Sequence, residues 1–393
     1  MELTPVLNII FARNPQIKAA SEAWQQALTR YPQSAFLEGI LRQYNAFTKR
    51  QNLMLGMNQG VEAEFPFPGL TALRGNLVQT DIRLAQLEYV IMVREMMAEA
   101  KKMFHEYVFL QKAIRVTMEN QRLLEQMLDV ASTQFEAGNA SYNDVIKARV
   151  EYSRLTDNLI TLEEQKETIA ARLNSMMDRP PQAQLGEGIE LKIEVPAETL
   201  EQLYAHARRN RQEIKQLEVQ IQRTQIMIDM ARQMNRPEPT LGASYFQDRS
   251  AGRAGVGRME SFTPAPRMRT RPEFAQQEAY IVEMISQREK LKREQENTIN
   301  QTLLDVKNAH FAMDTARRET ELYRTTLLPE AEQSLLVAEA DYLGAQINFL
   351  DYLDAQRTLL ELNMEFYMAQ YNLRTSITEL ERSVGGHRQQ LNF

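Results

Sequence analysis

Three aspartates stand where their carboxylates could act together: Asp144, Asp351 and Asp354. Asp144 and Asp351 each follow a short break that carries small or polar residues, and each opens a helical pattern. A carboxylate in the first turn of a helix is a favourable partner for the helix dipole, which accounts for both on structural grounds alone. Asp354 lies a turn further in and is not explained that way. If several copies of the chain met around an axis, the three carboxylates would ring an opening and favour cations there. That chemistry screens and selects charge; it makes and breaks no bonds.

Bond-making sites are not legible. The four histidines, His105, His206, His310 and His387, have no second ligand-type residue at metal-site spacing. The chain has no phosphate-binding glycine loop, no GxSxG and no HExxH. Cysteine is absent, which excludes disulfides and thiolate metal sites. No cofactor or enzymatic activity is expected. Asn139-Ala140-Ser141 matches a glycosylation sequon, but it coincides with a helix–turn–helix cap. Residues 247–271 read as a loop with six arginines against two acids, Asp248 and Glu260. That loop lacks the aromatic interleaving of a single-strand binder. With a net charge of −6 there is no bulk case for nucleic acid.

The elements that must position the aspartates repeat. Phe135, Gly138, Ser141, Asp144 and Ala148 form one pattern; Tyr342, Ala345, Asn348, Asp351 and Ala355 form the same pattern 207 positions later. From each Asp, seam positions advance by alternating steps of three and four. The first list is Val145, Ala148, Tyr152, Leu155, Leu159, Leu162, Lys166, Ile169, Leu173 and Met176. The second is Tyr352, Ala355, Leu359, Leu362, Phe366, Ala369, Leu373, Ser376, Leu380 and Ser383. This averaged 3.5-residue period is the seam of a coiled coil. Duplication across half the chain points to two similar halves.

The 393 residues contain only 15 Gly and 14 Pro, which permits long helices. Helix is predicted over 1–31, ending at Pro32. A strand with one apolar face is predicted over 52–65, stopped by Phe65-Pro66-Phe67-Pro68-Gly69. A helix of about 65 residues follows over 70–134; at ~1.5 Å per residue it would reach about 100 Å. Gly138 suits the turn that ends it, and Ser141 or Asn143 can cap the next helix, which runs to Asp178 before Arg179-Pro180-Pro181. Residues 183–197 form a connector with alternating Ile189, Leu191, Ile193 and Val195. The second half repeats the order: helix over 198–235, a short strand at 241–245, helix over 274–340 interrupted at Pro329, a turn at Gly344-Ala345-Gln346, and a last helix to about Val384 ended by Gly385-Gly386. The two halves are therefore 1–197 (β region about 35–69, helical hairpin about 70–178) and 198–386 (β or loop region about 236–274, helical hairpin about 275–384), with a polar tail at 387–393. No segment approaches the roughly 20 apolar residues of a spanning helix. Met1-Glu2-Leu3-Thr4 has neither a basic n-region nor an apolar h-region, so no signal peptide is read in this chain.

The two turn-plus-helix segments, together with Asn14-Pro15-Gln16-Ile17-Lys18-Ala19-Ala20, Phe65-Pro66-Phe67-Pro68-Gly69 and Pro239-Thr240-Leu241-Gly242-Ala243-Ser244-Tyr245, resemble the TolC family of outer-membrane efflux proteins. The likeness covers nearly the whole chain in order. It implies a mainly α fold of long antiparallel coiled-coil helices in two tandem repeats, with a small and incomplete β portion contributing to a trimeric barrel. It implies a homotrimer in the outer membrane, in contact with its lipid, with a large periplasmic part. Its partners would be a periplasmic adaptor (membrane fusion) protein and an inner-membrane pump, and it would act as a channel for efflux or secretion. By the resemblance, Asp351 and Asp354 match aspartates that constrict the tunnel entrance and select cations. Asp144 matches one that helps hold the entrance closed. The hairpin turns carrying Gly138, Ser141, Gly344, Ala345 and Asn348 are where the adaptor would dock. The family's arginine in the second turn falls at Ile347, so the usual closed-gate ion pairs lack that partner here.

The barrel departs further. A membrane strand needs about 9 to 11 alternating residues. Residues 52–65 meet this, 239–246 are short, 35–47 do not alternate cleanly, and Pro264-Ala265-Pro266-Arg267 stand where a fourth strand is expected. The rival reading is therefore a soluble periplasmic coiled-coil scaffold that kept the helices and lost the barrel.

Overall fold

The computed structural model describes residues 1–34, 68–136, 138, 141–189, 192–234, 274–344 and 346–386. Within them the chain is almost wholly helical: α1 (Leu3–Arg13), α2 (Pro15–Ser34), α3 (Pro68–Glu136), α4 (Tyr142–Met176), α5 (Leu200–Asn210), α6 (Gln212–Met234), α7 (Phe274–Leu322), a π-helical turn (Tyr323–Leu327), α8 (Leu328–Leu343) and α9 (Phe349–Ser383). The expected strands at 35–47, 52–65, 239–246 and around 264–267, the arginine-rich loop, Ala345 and the polar tail lie outside the described residues.

The chain divides into two compact units. One comprises residues 1–19, 90–211 and 299–393 and holds both hairpin turns. The other comprises 20–89 and 212–298. In the latter, Trp24 stacks on Tyr89 with ring centroids 5.7 Å apart, Arg223 pairs with Asp81 at 2.7 Å, and Arg288 donates to Gln225 at 2.6 Å.

In the first unit, α3 with α4 and α8 with α9 form two hairpins that share one core at the turn end. Leu124, Met127 and Ala131 of α3, Val145, Ala148 and Leu155 of α4, Leu335 and Tyr342 of α8, and Phe349, Tyr352 and Leu353 of α9 are buried together. The alternating three-and-four seam is what builds it. On α4 the buried residues are Val145, Ala148, Leu155, Leu162, Ile169, Leu173 and Asn174, all but the last on the seam. On α9 the buried stripe is wider than the seam and takes in Leu353, Gln356 and Thr378 as well. Each large apolar side chain buried here contributes about 1.5–3 kcal/mol. At the other end of α9, charges join it to α3: Lys101–Glu381 at 2.6 Å, Lys102–Glu379, and Arg382–Glu95 at 3.0 Å. Burial pushes the Glu379 carboxyl up, but hydrogen bonds from Arg382 and Lys102 overcome it and hold the group below the ordinary value.

Three expectations need correction. Residues 1–31 are not one helix, and Pro32 does not end the pattern. The break falls at Asn14, because a residue before proline is pushed out of the α region and Pro15 suits the first helical position. The Asn14 side-chain oxygen accepts from the backbone N–H groups of Gln16 (2.9 Å) and Ile17 (3.2 Å), capping α2. Pro32 sits inside the last turn of α2. Residues 198–235 are likewise two helices, broken at Arg211. Helix α3 begins at Pro68, inside the segment expected to be a turn.

The two breaks do the same job. Asn14 Nδ2 donates to the carbonyl of Met176, the last residue of α4, at 3.0 Å. Arg211 Nη1 donates to the carbonyls of Arg382 and Ser383, the last of α9, at 2.7 and 3.3 Å. Carbonyls at a helix end have no intrahelical partner, so each break closes one hairpin by satisfying them. Gly385 follows α9 with φ +98°, and a Cβ there would stand 2.9 Å from the Asn210 carbonyl. Only glycine fits both the backbone and the close approach.

Pro329 interrupts the outgoing helix as expected, by a π turn. Proline has no N–H for the carbonyl four residues back, and Leu328 N–H bonds the carbonyl of Tyr323, five back. The turn adds one residue. Before it, buried Val306 and Met313 stand 206 positions after buried Ala100 and Tyr107 respectively. After it, Ala331 stands 207 after Leu124.

Truncating Leu124, which is fully buried, to Ala is expected to cost about 2–5 kcal/mol in chemical denaturation, while Ile160→Ala on the exposed face of α4 is expected to cost well under half of that.

Candidate functional site

The first turn is held by its own residues. Gly138 has φ +76°, where a side chain would be strained, and its N–H bonds the Phe135 carbonyl at 3.0 Å. Ser141, not Asn143, caps α4. Its hydroxyl accepts from Asn143 N–H at 3.1 Å, and Asp144 reaches back to the Ser141 N–H at 3.3 Å. Asp144 is therefore the return arm of a capping box as well as a charge at the helix start. The second turn is built with different groups. Gly344 N–H bonds the Ala340 carbonyl at 2.9 Å, Gln346 N–H bonds Asp341 at 2.8 Å, and the Asn348 side chain accepts from Asp351 N–H at 3.1 Å.

Behind the second turn lies an aromatic cluster. Tyr342 stacks on Tyr352 at 5.8 Å and meets Phe349 edge-on at 5.5 Å. Burial raises the Tyr342 hydroxyl above the ordinary tyrosine range, and the charge of Asp144 raises it further. Tyr342 is buried in the shared core together with Val145, the residue that follows Asp144. Tyr352 is fully buried, and burial holds its hydroxyl far above the usual value. Among the described residues neither hydroxyl finds a hydrogen-bond partner.

Asp351 and Asp354 are exposed on successive turns of α9. Asp351 borders an open groove of about 450 Å³ between α8 and α9, with Glu330, Asp341, Val337 and Ile347 among its lining. Asp354 faces Arg357, three residues on, whose guanidinium is hydrogen-bonded to Glu151 of the first hairpin. That bond, and the negative charges of Asp354 and Glu361, raise the Arg357 pKa despite burial. Glu151 also has Arg154 at 3.5 Å. From the sequence Tyr342 is read only as the start of the second repeat pattern, and Glu151 and Arg357 are not read as site residues. Glu151 and Arg357 lie just off the seam, 206 positions apart, and only the packing of the hairpins joins them.

The histidines do not gather. His105 is buried edge-on to Phe104, His206 stands 3.7 Å from Glu198, His310 adjoins Phe311, and His387 is outside the described residues. Among the described residues no cluster of His, Asp and Glu could hold a metal ion. Nor is any described helix long and apolar enough to cross a membrane.

Because Ser141 satisfies an otherwise orphaned donor, Ser141→Ala is expected to destabilise the hairpin by about 1 kcal/mol in thermal or chemical unfolding. Ser141→Asp is expected to retain the cap.

Comparison with known proteins agrees with this geometry. The family described as Outer membrane efflux protein matches residues 203–386. A cobalt-zinc-cadmium resistance protein, CzcC of Cupriavidus metallidurans, is 21% identical over 324 residues, covering 81% of this chain and 74% of that protein. The fold is that of the outer membrane protein VceC of Vibrio cholerae (TM-score 0.72, 13% identity, 98% of this chain and 96% of VceC). It is also that of the MtrE outer membrane channel of Neisseria gonorrhoeae in its open state (TM-score 0.73, 13% identity, 98% and 89%). The paired long helices and two capped turns thus have the fold of these outer-membrane channels, and the second half of the chain, residues 203–386, matches the Outer membrane efflux protein family.

Proposed function

We propose that this efflux channel protein is a passive exit duct made of three copies of the chain, spanning the periplasm and the outer membrane and serving a tripartite efflux or secretion system. The observation that carries this reading is on the outside of the hairpins. Their shared core is closed, yet large apolar side chains remain open on each: Ile146, Val150 and Ile160 on α4, Leu336, Val337 and Leu343 on α8, between 45% and 66% exposed. Apolar surface gathered on one element and left in water marks a contact face. In a ring of alternating hairpins each such face meets the next.

In this reading the chain divides into repeats at 1–197 and 198–386. Asp144, Asp351 and Asp354 stand at the entrance, and the turns at Gly138, Ser141, Gly344, Ala345 and Asn348 meet a periplasmic adaptor that links the duct to an inner-membrane pump. No residue does covalent chemistry. The scaffold alternative is disfavoured by the family match and by a fold shared with outer-membrane channels over nearly the full chain. Divalent metal ions are the cargo to test first, since the exposed carboxylates favour cations and CzcC is a cobalt-zinc-cadmium resistance protein.

Negative-stain imaging of the detergent-purified protein is expected to show hollow three-fold cylinders; solid rods, or monomers stable in plain buffer, would support the scaffold instead. In planar bilayers, Asp351→Asn/Asp354→Asn is expected to lower the cation-to-anion permeability ratio. Unchanged selectivity removes the two residues from the entrance.

A further inference from the structure

The two hairpins of one chain meet through α3 and α9. Phe109 packs on Tyr371, and Lys112 Nζ donates to Gln370 at 3.2 Å. That leaves a face of α4 and a face of α8 open, each with a second seam beside the buried one. On α4 it is Tyr142, Ile146, Arg149 and Ser153; on α8 it is Glu332, Leu336, Glu339 and Leu343. Both advance by alternating steps of four and three, the spacing of a helix contact. All of these side chains are exposed except Glu339, which is half-buried.

The charges on these seams are not matched within the chain. Helix α8 carries Glu330, Glu332, Glu339 and Asp341 and no Lys or Arg. Further up the same hairpin the helix balances itself: Arg317 pairs with Asp314 and Arg324 with Glu321, each at 2.8 Å. Among the described residues Arg149, Glu332 and Glu339 have no ion-pair partner. The 207-residue equivalence puts Gln356 at the position of Arg149, and Glu125 and Ser132 at those of Glu332 and Glu339. The seam inside one chain therefore does not repeat this set of charges.

Depth from the turn matches the two open seams to each other. Both turns stand at the same end of the shared core. Copies related by a closed rotation axis are not displaced along it. The first turn of one copy therefore stands level with the second turn of the next. Counting four residues from Tyr142 and from Leu343 reaches Ile146 and Glu339; seven reaches Arg149 and Leu336; eleven reaches Ser153 and Glu332. At ~1.5 Å per residue, Arg149 then lies about 5 Å along the axis from each glutamate. Sliding by one heptad leaves it beside one glutamate and strands the other.

We propose that Arg149 of one copy enters between Glu332 and Glu339 of the next, and that this three-charge contact sets the register of the seam between copies. It rests on the trimeric duct reading above, and a second copy of the chain is the occupant of the open α4 face. An exposed ion pair adds little affinity. Its effect is selection, because a misplaced partner leaves charges unpaired in the contact.

Native mass spectrometry of the full-length protein in detergent tests the contact. The parent is expected to be a trimer; a monomeric parent overturns the duct reading and this inference with it. Arg149→Glu is expected to lower the trimer fraction several-fold at unchanged helicity by circular dichroism, and Arg149→Glu/Glu332→Arg/Glu339→Arg to restore it. If the parent is trimeric but Arg149→Glu assembles equally well, or the reversed triple variant stays as dissociated as the single, the inference alone is overturned. Register is read separately, since the chain has no cysteine. With a short bifunctional thiol reagent, Tyr142→Cys/Leu343→Cys is expected to give covalent dimers and trimers on denaturing gels. Tyr142→Cys/Leu336→Cys, seven residues out of step, is expected to give few. Equal or reversed yields from a trimeric parent overturn the inference as well.

Discussion

The structure depends on one constraint: a pair of very long helices cannot cover its own apolar surface. A helix in a compact domain turns one stripe inward and leaves the rest to water. Here α3, α4, α8 and α9 bring their turn ends into one four-helix core, and that core closes around Leu124, Ala148 and Tyr352. It leaves Leu336, Val337 and Ile160 outside. Nothing else in the described chain covers them. In the proposed duct, assembly follows from the same seam that builds the hairpins, because the apolar surface left on α4 and α8 is wider than one neighbour hides.

The ends of the hairpins are controlled separately from their middles. At the turn end, local capping decides the geometry: Ser141 with Asp144 in one hairpin, Asn348 in the other. At the far end the closure is long-range. Asn14 and Arg211, each at a break between two helices, donate to the terminal carbonyls of α4 and α9. α1 and α5 are both 11 residues long, and the same short helix precedes each break. One hairpin is closed by an amide and the other by a guanidinium, so the device is shared although the residues are not. The π turn is a further difference between the halves, since α8 is reached with one residue more than α3 needs.

What the sequence makes legible is the local physics. The three-and-four spacing finds most of the buried residues of α4, and Pro329 and the Gly385-Gly386 pair mark real interruptions, because each signal is written within a few residues. The missed features are written across the chain. The pattern of residues 1–31 runs in phase through Asn14, and its break is stabilised by a carbonyl 162 positions away. Arg211 is hidden in the same manner. Of the candidate site, the capped turns were readable from Gly138 and Ser141. The Tyr342 neighbourhood of Asp144 and the Glu151–Arg357 pair were not, because neither has a sequence period and both exist only once the hairpins lie side by side.

The account stands on neighbouring copies covering the exposed stripe. The direct measurement is covalent footprinting of aliphatic side chains in the membrane-extracted particle, compared with the unfolded chain. The account predicts that Leu336, Val337 and Ile160 are as strongly protected as buried Leu335 and Leu162. Labelling of those three at the level of freely exposed side chains, in an otherwise folded protein, would contradict it.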